Sequence, residues 1–132
     1  MRALVVALAV TAIGVPALFA GTSTTLRVHE LVATGSPLPV EGAIPYIRVS
    51  RADGSTAVRR RLTVTNTSAS VAVPVAAGRY RLQSWQRYCD GNCSRLGPPT
   101  DRCARWFGIR RGQTLKATIA VRYGSGCTIR FG

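Results

Sequence analysis

From Leu26 to Phe131 the apolar residues recur at every second position, and that period narrows what the chain can fold into. Leu26, Val28 and Val32 alternate with Arg27 and His29. In VAVPV, Val71, Val73 and Val75 share one side, and Tyr80 and Leu82 continue it beyond the turn AAG. Leu115, Ala117, Ile119 and Val121 alternate with Lys116, Thr118, Ala120 and Arg122; the closing CTIRF sets Cys127, Ile129 and Phe131 together. A pleated strand turns successive side chains to opposite faces, so period two marks strands with one buried face. Turn formers separate the runs, at GSPLP, ADGS, NTSAS, AAG, GNCSRLGPP, RRGQ and YGSG. No stretch after residue 25 keeps the period of an amphipathic helix. The pattern predicts an all-β fold, an antiparallel β-sandwich of about seven short strands.

The first twenty residues follow a different rule. Arg2 and the free amine precede an apolar run from Ala3 to Ala20. That is the layout of a secretory signal peptide, with Leu18-Phe19-Ala20 as its cleavage tripeptide. The run also has the length of an uncleaved anchor helix, since about 20 apolar residues span a bilayer. In both cases the remainder is expected outside the membrane, secreted or tethered. The expected organisation is a leader over residues 1–20 and one domain over residues 21–132, long enough for a single core.

Four cysteines in an exported chain predict two disulfides. Three of them fall in YCDGNCSRLGPPTDRC, and the full spacing is C-x3-C-x9-C-x23-C. Zinc knuckles need closer pairs to converge on one ion, and a thioredoxin-type thiol needs C-x-x-C at a helix start. Neither is present, and no cofactor or metal site is expected. Cys103 shares parity with Phe107 and Ile109, and Cys127 with Ile129 and Phe131, so both point inward. Cys89 has the outward parity of Arg81, Gln83, Trp85 and Arg87. The favoured pairing is therefore Cys103–Cys127 across the core and Cys89–Cys93 around the Asp90-Gly91-Asn92 turn. Pro98 and Pro99 stiffen the rest of the segment.

GSPLPVEGAIPYIRV (residues 35–49), followed by VAVPVAAGRYRLQSW (residues 71–85), resembles carboxypeptidase regulatory-like domains, which share the transthyretin-like (prealbumin-like) sandwich. The matching strands are Gly42 to Val49 and Val73 to Leu82, with Gly78 and Tyr80 at the defining turn. TNTSAS replaces the family's T-D-x-x-G, and the cysteine segment is extra. The chain also resembles small secreted proteins of high-GC, actinobacterial-type bacteria that carry C-x-G-x-C…P-P-x-x-x-C. The resemblance implies an accessory, adhesive or ligand-binding module; it implies a fold and no reaction.

The charge balance is lopsided: 18 Lys and Arg against 5 acids, a net +13, with Lys116 the sole lysine. Such an excess reads either as attraction to an anionic partner or as the codon bias of a GC-rich genome. Catalysis finds little footing. His29 is the one histidine, and Glu30, Glu41, Asp53, Asp90 and Asp101 form no motif; Asp53, in ADGS, is a turn residue. The candidate site is aromatic and basic. Pairing RYRLQSWQRYC with RCARWFGIR so that Cys89 faces Arg102 sets Trp85 opposite Trp106, both outward, flanked by Arg81, Arg87 and Arg110. Aromatic faces ringed by guanidiniums suit sugar rings or bases bearing phosphate or carboxylate, although a cross-strand aromatic pair also serves a sheet structurally. Arg59-Arg60-Arg61 forms a second basic cluster. The expected function is a non-enzymatic interaction module for an acidic polysaccharide or envelope polymer. The alternatives are an electrostatic nucleic-acid or lipid-surface binder, and a small protease-inhibitor-like protein using the 89–103 loop.

Overall fold

A computed structural model describes residues 23–32, 42–65, 68–90 and 94–132. The expected leader over residues 1–20, the GSPLP turn and Cys93 lie outside the described residues, and the expected Cys89–Cys93 bond with them. Ten strands follow in chain order: β1 (Thr25–Val32), β2 (Ala43–Arg51), β3 (Thr56–Arg61), β4 (Thr63–Val64), β5 (Ala69–Pro74), β6 (Gly78–Asp90), β7 (Arg95–Leu96), β8 (Thr100–Ile109), β9 (Thr114–Arg122) and β10 (Gly126–Phe131). They form two sheets. The first has the order β10-β9-β1-β5-β4; in the second, β3-β2-β6 continues through β8 along most of β6 and through β7 at its far end.

Two expectations need correction. Against an expectation of about seven, the described residues form ten, because β3 and the two-residue strands β4 and β7 carry no apolar alternation that marks them in the sequence. The sandwich is also not wholly antiparallel: β1 pairs β9 in parallel, Leu26 beside Leu115 through Val32 beside Val121. A parallel pair joins segments remote in sequence, so no hairpin signal announces it.

The inward sides carry the residues whose period was read from the chain. Leu26, Val28, Val73, Ala117, Ile119, Val121 and Ile129 of the first sheet pack on Ile47, Val49, Tyr80, Leu82, Phe107 and Ile109 of the second. Fully burying one such side chain contributes about 1.5–3 kcal/mol. Where the chain passes between sheets, the corners are packed. Leu62 fills the β3–β4 corner, with its N–H on the Pro45 carbonyl at 3.0 Å. At the β5–β6 corner, Tyr80 turns its ring into the core and donates its hydroxyl to the Ala76 carbonyl at 2.7 Å. The AAGRY stretch thus closes on itself.

One open edge of the sandwich is stapled. β8 and β10 lie on different sheets, and Cys103–Cys127 joins them with a Cα–Cα distance of 5.3 Å. Phe107 packs against Phe131 at 5.2 Å, and Arg105 donates to the Ile129 carbonyl at 2.8 Å. Inward parity of both cysteines, read from the sequence, put them in reach. Replacing Cys103 and Cys127 together by Ala should cost about 3 kcal/mol, the closure entropy of a loop this long, read as a shift of the guanidinium midpoint.

Among the described residues a single acid sits inside. Glu30 follows Leu26 and Val28 on the inward side of β1, and its carboxylate accepts from Gln86 Nε2 and, at 3.5 Å, from Ser84 Oγ, both inward on β6. Burial pushes its pKa up to about 7 against an ordinary 4.5, and the two hydrogen bonds only partly oppose this. Between those values the native state holds a proton that the unfolded chain has lost, so stability falls as pH rises through this window and stays low above it. Glu30→Gln should flatten the dependence and raise stability at pH 8 by up to about 3 kcal/mol, measured by urea unfolding at pH 5 and pH 8.

Candidate functional site: a basic groove on the outer face of the second sheet

The outward residues of β3, β2, β6 and β8 form transverse rows set by the ladder. Arg61, Tyr46 and Trp85 make one row; Arg59, Arg48, Gln83 and Ala104 the next; Thr56, Ser50, Arg81 and Trp106 the third. Long side chains surround short ones, so the middle of the face sinks. The result is a groove of about 530 Å³, with Gln83 and Ala104 low in it, Trp85 and Pro99 as apolar wall, and Arg48, Arg59, Arg81 and Arg102 around it. No Asp, Glu or His lines this groove.

Local structure positions each group. Trp85 stacks on Tyr46 with ring centroids 5.8 Å apart and planes within 9°, and the Arg59 guanidinium lies 5.3 Å over its ring. Trp85 Nε1 is buried and has no hydrogen-bond partner among the described residues. Arg48 is held by Ser50 Oγ and the Gly54 carbonyl, each at 3.0 Å. That carbonyl belongs to the ADGS turn, which Asp53 secures by accepting the Ser55 N–H at 2.8 Å; these bonds hold the Asp53 carboxyl below its usual range. Ser50 Oγ in turn donates to Gln83 Oε1 at 3.3 Å. Arg81 and Arg102 are exposed, with no side-chain hydrogen bond or ion pair among the described residues.

The expected pairing of Trp85 with Trp106 is not formed. Arg81, not Trp85, faces Trp106. The hairpin closes further out, where Cys89 pairs Leu96 and Asp90 pairs Arg95, so Arg102 is not free to face Cys89. The register also slips between Ser84 and Gln86, opposite a stretch of β8 where Asp101 has φ of 49°. An extra residue in one strand, with a positive φ, is how a bulge is accommodated. Both tryptophans do face outward on the same sheet, four positions out of step, or about 13 Å. Trp106 lies beside the groove with Arg79 at 5.3 Å over its ring.

Of the expected flanking arginines, Arg81 joins Trp85 in the groove. Arg87 does not: its guanidinium donates to the Gly97 carbonyl at 2.8 Å and the Leu96 carbonyl at 3.3 Å. Those bonds, with Gly97 N–H on the Tyr88 carbonyl at 2.7 Å, lay the end of the cysteine segment along β6. Arg110 sits beyond β8, in the turn to β9. Arg59 was expected only as part of the separate Arg59-Arg60-Arg61 cluster, and Arg48 and Arg102 were not among the residues expected to flank the tryptophans. The alternation of Arg48 with Ile47 and Val49 was legible, but which strands flank β2 was not. The RRR run divides, since Arg59 turns to the groove and the next residue, in a strand, turns away.

Elsewhere the chemistry is sparse. His29 is half-buried on the outer face of the first sheet, between Ser70 and Thr118, while Glu30 beside it points inward. No group of three or more His, Cys, Asp or Glu among the described residues is placed to hold a metal ion. The groove therefore offers cations and aromatic surface without a paired acid and base. The chain matches no family model, and no curated protein shows significant sequence similarity to it.

Arg81 and Arg102 add charge to the groove without bracing the fold. The double substitution Arg81→Ser, Arg102→Ser should leave unfolding free energy within about 0.5 kcal/mol of the parent, checked by urea denaturation.

Proposed function

We propose that this chain is an exported, non-enzymatic interaction module of prealbumin-like type whose basic groove binds an acidic polysaccharide or similar envelope polymer. The observation that carries the reading is four guanidiniums around one concave, tryptophan-walled groove with no carboxylate among its lining residues. Arg48 and Arg59 stand directly opposite each other across β2 and β3, and like charges so placed oppose folding. An anion lying between them relieves that repulsion. Guanidinium forks match carboxylate and phosphate oxygens in pairs, and a sugar ring has the size and apolar face to lie against an indole.

Other features support the setting. A disulfide between Cys103 and Cys127 is consistent with an extracellular location, in line with the leader read at residues 1–20. The VAVPVAAGRYRL stretch, which carries the family resemblance, spans the β5–β6 crossing and its Tyr80–Ala76 bond.

The test is titration with a polyuronate at low salt, with neutral dextran as control. The parent should bind the polyuronate and not dextran. Arg81→Ala with Arg102→Ala should weaken binding by about tenfold or more, since a hydrogen bond to a charged group contributes about 1.5–3 kcal/mol. Trp85→Ala should weaken it even at salt concentrations that screen the charges. Unchanged affinity in both variants would remove the groove from the binding site. Equal affinity for every polyanion, lost uniformly with salt, would favour a purely electrostatic binder.

A further inference from the structure

The opposite face of the sandwich carries a second set of unspent cations. On the outward side of the first sheet, Arg27 of β1 stands beside Lys116 of β9, and Arg130 of β10 faces Thr118 of β9. Arg122 projects from the same side of β9, at the parity of Lys116 and Thr118. All four cations are exposed, and none has a side-chain hydrogen bond or ion pair among the described residues. Between them the side chains are short, so the face holds two shallow depressions. One, of about 420 Å³, lies by Arg27 and Lys116; the other, of about 450 Å³, by Arg122 and Arg130. No acid lines either one. Glu30, the acid of β1, is turned to the interior.

We infer that this face is a second anion-binding surface and that the domain bridges two polyanion chains, one on each side of the sandwich. The inference rests on the groove reading for its first site. Packed sheets lie about 10 Å apart, and side chains add to that on each outer face. The two basic surfaces therefore point in opposite directions, and a stiff polymer in the groove cannot also cover Arg27 and Arg130. The surfaces differ in character. The groove has aromatic wall and grips one strand of polymer, whereas the outer face of the first sheet is shallow, aliphatic and polar, and holds its partner by charge. A second chain of the same acidic polymer is the occupant, because four exposed cations with no lining acid complement a polyanion, and Leu31 is the single large hydrophobic exposed in either depression. Two sites on one rigid body convert binding into cross-linking.

A sandwich-capture assay tests this with the full exported protein. Polyuronate is immobilised, protein is added and washed, and labelled soluble polyuronate is then applied, with sedimentation establishing that the protein is monomeric. The parent should bind the surface and capture labelled polymer. Arg27→Ala with Lys116→Ala and Arg130→Ala should still bind the surface through the groove but lose capture by about tenfold or more. Arg81→Ala with Arg102→Ala should bind more weakly and also lose capture. Surface binding by the parent without capture overturns the bridging inference and leaves the groove reading standing. Capture undiminished in the Arg27/Lys116/Arg130 variant overturns it as well. Capture undiminished in the Arg81/Arg102 variant overturns the groove reading instead, and no binding by the parent overturns both.

Discussion

Along the thirteen residues of β6, the pleat sends alternate side chains to opposite sides of one sheet, and most of the molecule is arranged around that division. Inward, Tyr80 and Leu82 enter the core, and Ser84 and Gln86 reach across to Glu30 on the other sheet. Outward, Arg81, Gln83 and Trp85 contribute to the groove, while Arg87 pins the end of the cysteine segment. The strand is paired on both sides, with β2 and with β8 and β7. A shift of one residue in its ladder would exchange the two sets, placing arginine in the core. The register of β6 thus holds core and groove in place at once, and the Tyr80–Ala76 bond and the β7 pairing anchor its two ends.

The electrostatics run against stability. Where arginines of the described residues donate hydrogen bonds, the acceptors are carbonyl or hydroxyl oxygens, as with Arg48, Arg51, Arg87 and Arg105. The acids whose side chains are described are engaged by neutral donors: Asp53 by Ser55, Asp101 by the Gly126 N–H, Glu30 by Gln86. Positive charge is therefore left largely uncompensated on both outer faces. Packing between the sheets and the staple at the β8–β10 edge supply what those faces withhold. A GC-rich codon bias would explain an excess of arginine, but not the gathering of four arginines around a groove whose lining holds no acid.

Parity was legible residue by residue. The inward set from Leu26 to Phe131, the outward placement of Trp85 and Trp106, and the meeting of Cys103 with Cys127 all follow from period two. Glu30 was legible in the same way, two residues after Val28 and on its side of the strand, yet an acid in an apolar series is easily passed over. The partners were not legible. Turn composition suggested a hairpin across the cysteine segment but not where its ladder ended, and the two-residue β7 with the slip near Asp101 displaced Trp106 by four positions. Arg48 and Arg59 belong to the groove only because β2 lies between β3 and β6, which no local pattern announces.

Covalent geometry is why the one was readable and the other was not. The alternation of side chains is built into an extended backbone, so a run of residues declares which of them face together before it has any neighbour. Neighbours and register arise when separate strands compete for the same hydrogen-bonding edge, and the outcome depends on how all the inward faces fill one core. The period of the chain thus decided that this protein has a buried side and a basic side. Pairing of β2, β6 and β8 decided that four of its arginines meet around a single tryptophan.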